Sequence, residues 1–173
     1  ENAKKLVYID QGMTDENGNA DISFCTDGES GKYTIECRIG ERIYDNKSFI
    51  FLNPRAKDFV VTDFGWYKGY EKINDINQVD NGSRITLKAS VINRTGNERE
   101  ISLVCAGYKD SSLAFMSINN YDGAEYAKIP SDEQIKDISI DITVDKTNVG
   151  KLKGFLFHNF KNVIPYSTSI SIE

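Results

Sequence analysis

The chain has 173 residues, 39% of them hydrophobic, including nine Phe and nine Tyr. That is enough apolar material for one large folded domain or two small ones, and too much for a disordered chain. A net charge of −5, scattered without any Lys/Arg cluster, excludes a nucleic-acid footprint, and no apolar run approaches the roughly 20 residues of a membrane span.

Two blocks follow one another. In the first, residues 1–54, strands are expected at 5–10, 19–25, 32–38 and 47–52. The expected turns are Asp15-Glu16-Asn17-Gly18, carrying the strong Asn-Gly signal, and the glycine-containing residues 26–31. Asn53-Pro54-Arg55-Ala56 breaks the pattern and reads as a linker. In the second block, residues 57–173, strands are expected at 59–68, 83–93, 98–109, 113–119, 137–144, 151–160 and 167–172. Residues 131–137 leave room for one helical turn; no other stretch has helical periodicity.

The evidence for strands is a period of two. Ile85, Leu87, Ala89 and Val91 share one parity, while Thr86, Lys88 and Ser90 share the other. Ile101, Leu103 and Cys105 repeat the pattern, and Ile138, Ile140 and Ile142 alternate with Ser139, Asp141 and Thr143. One face is therefore buried and one wet, as in an antiparallel sheet lying on a core. Seven such strands are the complement of an immunoglobulin-like sandwich. The expected fold is all-β, antiparallel Ig-like β-sandwich modules in tandem, with residues 57–173 a full module and residues 1–54 a partial one. The first block has too few strands to close a sandwich, so further strands upstream of Glu1 are expected. A start at Glu1 rather than Met, with no signal peptide, fits a piece of a longer protein.

Three cysteines cannot all pair internally. If residues 19–25 and 32–38 form a tight hairpin, Cys37 lies about 13 Å from the point opposite Cys25. A disulfide needs Cα atoms within about 7 Å, so none is expected. Cys105 shares parity with Ile101 and Leu103 and reads as a small core hydrophobe.

Few residues carry chemistry. Asp15-x-Asn17-x-Asn19-x-Asp21 alternates oxygen side chains as a calcium loop does, but its glycine is misplaced and the final glutamate is missing, so it reads as a turn. His158 is the only histidine and has no companion nucleophile or further ligand nearby in sequence. No catalytic residue, metal site or cofactor is expected. Acids such as Asp137 and Asp141 fall on the solvent parity of a strand. The aromatic segment Phe64-Gly65-Trp66-Tyr67-Lys68-Gly69-Tyr70 can be read in two ways: core packing for Phe64 and Trp66, or stacking on sugar rings. The candidate ligand contacts are Trp66, Tyr67 and Tyr70, with Tyr121 and Tyr126 from the long connection after residue 119.

Stretches in both blocks resemble known modules. Asp15-Glu16-Asn17-Gly18-Asn19-Ala20-Asp21-Ile22-Ser23-Phe24, followed by Gly31-Lys32-Tyr33-Thr34-Ile35, is similar to the DENGxFxFxF…GxYTVxV stretch of bacterial Ig-like repeats. In that pattern the tyrosine, here Tyr33, stands at a strand corner and its hydroxyl bonds back to the preceding loop. Ala89 to Tyr108, and Lys151-Leu152-Lys153-Gly154-Phe155-Leu156-Phe157-His158 with Pro165 downstream, resemble Ig-like and fibronectin-type-III-like modules appended to secreted bacterial carbohydrate-active enzymes and surface proteins. Phe157 stands where those modules commonly carry Trp, and His158 where they carry Asp.

The resemblance implies a non-catalytic accessory or spacer segment of a secreted or cell-surface, multimodular bacterial protein. Its partners would be neighbouring modules of the same polypeptide and, in some cases, a polysaccharide, with no nucleic acid and no membrane insertion. Two other readings stay open: a carbohydrate-binding module using exposed aromatics, and an adhesin or assembly subunit that pairs by strand addition.

Overall fold

The computed structural model describes residues 6–24, 28–53, 57–119, 125–159 and 163–173. It is all-β, with antiparallel sheets and a single short 3₁₀ turn, Ile76–Gln78, among the described residues. Strands β1 (Gly31–Ile39) and β2 (Arg42–Phe51) form an N-terminal hairpin. Its loop has two residues, and Gly40 at the first position has φ +60°, a conformation that favours glycine.

The expected hairpin partner for residues 32–38 was residues 19–25. The structure pairs them with Arg42–Phe51 instead, and residues 6–24 form no strand. A strand exists only when a neighbouring edge accepts its ladder. Residues 6–24 instead contribute side chains. Phe24 lies 6.1 Å from the Phe49 ring, and Phe49 stacks on Tyr33 at 5.6 Å.

The remaining strands are β3 (Phe59–Lys68), β4 (Glu71–Ile73), β5 (Arg84–Asn93), β6 (Arg99–Lys109), β7 (Ser112–Ile118), β8 (Ala127–Ile129), β9 (Ile135–Thr143), β10 (Lys151–Phe157) and β11 (Ile170–Ile172). One sheet has the order β4-β3-β5-β9. The other has the order β11-β10-β6-β7, with β8 also paired to β6. The strand content exceeds expectation by β4 and β8, each three residues long and too short to display a period. The helical turn foreseen at 131–137 does not form, because Ile135 and Lys136 already pair with Ile92 and Val91 as the start of β9.

The two sheets share one buried core, in a sandwich-like arrangement. Register sets Trp66 beside Leu87 and Leu87 beside Ile140, and all three are buried. From the other sheet, Leu103 pairs with Leu156, and Cys105 with Gly154. At Gly154 the layers approach closely: a Cβ there would stand 2.6 Å from Leu87 Cδ1. Cys105 is buried and free, and desolvation pushes its thiol up to about 12, consistent with a core hydrophobe. Cys37 is free and exposed; Cys25 lies outside the described residues.

Candidate functional site

Alternation puts Tyr67, Gly65, Asp63 and Val60 of β3 on the face of the first sheet that points away from the core. They share it with Thr86, Lys88, Ser90 and Ile92 of β5 and with Asp141, Ser139, Asp137 and Ile135 of β9. A bulge between Val61 and Asp63 keeps both ends of β3 in phase with the core despite the extra residue, Thr62.

The polar residues on this face are cross-linked in pairs. Lys72 Nζ lies 2.9 Å from Asp63 Oδ1, and the Tyr67 hydroxyl donates to Asp63 Oδ2. Lys88 Nζ lies 2.8 Å from Asp137 Oδ2, and Ser90 Oγ donates to Asp137 Oδ1 at 2.6 Å. Arg84 and Thr86 bind Asp141 at 2.6 Å and 2.5 Å. Burial pushes the Asp63 carboxyl up, but the Lys72 and Tyr67 hydrogen bonds and the Lys72 charge outweigh it, so its pKa falls. The same balance holds for Asp137: burial raises it, and the Lys88 and Ser90 bonds bring it below the ordinary value. The Thr86 and Arg84 bonds lower Asp141. Tyr67 is shifted upward by burial and by its bond to Asp63.

At the other end of this face Val60 and Ile92 are buried, although they point away from the core. The N-terminal hairpin lies beside this sheet, with β1 close to β3. Arg94 ties the two parts together, its Nη1 donating to the Asn53 carbonyl at 2.6 Å. Between hairpin and sheet runs an open groove of about 470 Å³. Lys32, Ser48, Phe49 and Ile50 line it from the hairpin, and Thr62, Asp63, Lys88, Ser90, Ile135 and Asp137 from the sheet. Its floor is held by buried hydroxyls: Thr62 Oγ1 donates to the Ser90 carbonyl at 3.1 Å, and Ser90 Oγ holds Asp137.

The sequence-derived candidates do not come together. Trp66 is 1% exposed and packs in the core, so its ring offers no face to a ligand. Tyr67 joins the polar network beside the groove, with Lys72 Nζ 5.7 Å from its ring centre. Tyr70 is fully exposed at the tip of the β3–β4 turn. Tyr126 is half-buried immediately before β8, which belongs to the other sheet. Tyr121 lies outside the described residues. His158 sits edge-on to Tyr166 with ring centres 5.9 Å apart.

The calcium-like segment is a closed turn. The Asp15 Oδ1 atom accepts the backbone N–H groups of Asn17 and Asn19 at 2.9 and 2.8 Å, and Gly18 takes φ +83°. Among the described residues no group of three or more His, Cys, Asp or Glu is placed to hold a metal. Sequence reading missed the groove because its walls come from separate blocks. The outward charges on β3, β5 and β9 were visible, but not the register that pairs them.

No protein-family model matches this chain, and no curated protein matches it in sequence.

Proposed function

We propose that this chain is a non-catalytic accessory or spacer segment of a secreted or cell-surface bacterial multimodular protein, built from tandem Ig-like modules of which the first is partial. One observation carries the non-catalytic reading. The carboxylates of the groove, Asp63 and Asp137, are both held below their ordinary pKa by cations and hydroxyls. A glycosidase pair needs one carboxyl raised toward neutrality so that it can act as an acid, and this groove is arranged in the opposite sense.

The Ig-like assignment draws support from Tyr33. Its hydroxyl donates to the Glu29 carbonyl at 2.8 Å, the back-bond that the resemblance leads one to expect at a strand corner. The test is to incubate the chain with cellulose, xylan and pectin and measure reducing ends. The expected result is no release above a buffer blank. Release that disappears in Asp137→Asn would overturn the proposal.

A further inference from the structure

We propose that β7, an edge strand of the second sheet, is an interaction surface for a second copy of this chain, the two edges pairing antiparallel about a two-fold axis. The inference is independent of the accessory reading, which neither requires nor forbids self-association.

An edge strand leaves backbone N–H and C=O groups without a ladder partner, and proteins guard such edges with charge, brevity or bulges. Most edges of this protein are guarded. β9 carries Lys136, Asp137 and Asp141, β1 carries Lys32, Glu36 and Arg38, and β2 carries Arg42, Asp45 and Lys47. β4, β8 and β11 have three residues each. β7 differs: its seven residues, Ser-Leu-Ala-Phe-Met-Ser-Ile, include no charge, Pro or Gly. Among the described residues it pairs with β6 alone, and Leu113 and Met116 stand 57% and 52% exposed. Its one guard is a bulge opposite Gly107 and Tyr108, where Ala114 is the extra residue. Beyond the bulge, residues 115–118 run in regular register with residues 104–107.

The face beside this edge is apolar as well. Leu103 and Cys105 point into the core, so Val104 and Ala106 point outward. Ile118, Val104 and Phe155 therefore form one row across three strands, and Met116 lies beside Ala106 in the next. The outer face of the first sheet is instead charged and cross-linked, as a wet face is expected to be. An outward apolar set of this kind marks an interaction surface.

Charge and symmetry select the occupant. A two-fold axis perpendicular to the sheet keeps both outer faces on one side, so each residue meets one of its own parity. With the axis at Met116, that residue meets its own copy, Phe115 lies opposite Ser117, and Ile118 takes the diagonal position. No like charges face each other. The same operation on β9 about its centre, Ser139, would set Asp137 against Asp141 twice over. Seven residues span about 23 Å, and with side chains on both faces the contact is roughly 15 Å wide, so on the order of 700 Å² is buried in all. That is less than stable dimers bury and corresponds to a weak, reversible association, with a Kd of about 0.1–1 mM.

The experiment is sedimentation equilibrium of the whole chain from about 10 µM to 1 mM, with amide chemical shifts followed over the same range. A monomer–dimer equilibrium is expected, with concentration-dependent shifts at residues 115–118. Met116→Lys places two ammonium groups at the axis and should weaken association at least about tenfold, as should Met116→Glu. An equimolar mixture of the two variants should recover association to within about threefold of the parent, because ammonium then faces carboxylate. Met116 is exposed, so each variant should keep the parent Tm.

A chain still monomeric at 1 mM would overturn the proposal. So would a dimer whose shifts fall at residues 42–51 or 135–143, or association unchanged in Met116→Lys. Loss of association in both variants without recovery on mixing would overturn it too, since pairing about Met116 requires that recovery.

Discussion

Replacing Gly154 and Leu87 by alanine, singly and together, tests whether the two sheets meet as described. Leu87 is fully buried, and its truncation should cost about 2–5 kcal/mol through lost burial and the cavity left behind. At Gly154 an added Cβ would stand 2.6 and 3.1 Å from the two Leu87 methyls and 3.2 Å from Ile170 Cγ1. Overpacking of this kind costs about 1–3 kcal/mol. Two independent sites would give a double variant destabilised by about 3–8 kcal/mol. However, Leu87→Ala removes the methyls that Gly154→Ala collides with, and the new methyl fills part of the cavity. The double variant should therefore be more stable than the sum by about 1–3 kcal/mol, the size of coupling seen between residues in contact. Urea unfolding followed by Trp66 fluorescence gives all three values. Additivity within about 0.5 kcal/mol would mean that β5 and β10 do not face each other across the core.

Further predictions concern single groups. Tyr33→Phe removes the hydroxyl bonded to Glu29 and should destabilise by about 1 kcal/mol, with amide exchange faster in β1 and β2 than in β5. Asn93 is fully buried, and its amide donates to the Asn97 and Ile129 carbonyls while its oxygen accepts from Thr95. Asn93→Ala removes these bonds at a fully buried position, leaving the Asn97 carbonyl only its bond from the Thr95 hydroxyl, and thermal unfolding should report a loss of about 2–3 kcal/mol. With its thiol pushed up to about 12 and shut in the core, Cys105 should escape thiol reagents at pH 8 until denaturant is added, while peptide mapping shows Cys37 labelled at once.

What could be read from the sequence divides along a physical line. Wherever a strand has one buried face, the period of two is written in its residues, and β3, β5, β6 and β9 were located to within a residue or two at most ends. The run Leu6-Val7-Tyr8-Ile9 also looks like a strand, yet an apolar run becomes one only if an edge accepts it, and that depends on residues elsewhere. The expected strand at 47–52 missed the start of β2: Asp45 and Asn46 have low strand propensity, and pairing with β1 carries the strand back through them to Arg42. One signal was present and unused: Asp75-Ile76-Asn77-Gln78 carries the capping-box spacing, and the structure shows Asp75 and Gln78 capping the short 3₁₀ turn reciprocally. The groove was out of reach altogether. Phe49 and Asp137 are far apart in sequence, and nothing local to either one indicates that the hairpin lies across the sheet.

The carboxylates beside the groove are held ionised by the ammonium and hydroxyl groups paired with them, which is the arrangement the non-catalytic reading rests on, and they can be read directly. Both folded-state pKa values are lowered, so the stabilising pairs are complete above the ordinary carboxylate value of 3.8 and are lost as pH falls through the depressed folded values. A carboxyl-carbon NMR titration from pH 7 downward, assigned with Asp63→Asn and Asp137→Asn, should show both groups ionised down to pH 3.8 and reaching half-protonation only below it. Either carboxyl titrating near pH 6, where a glycosidase keeps its general acid, would contradict the account.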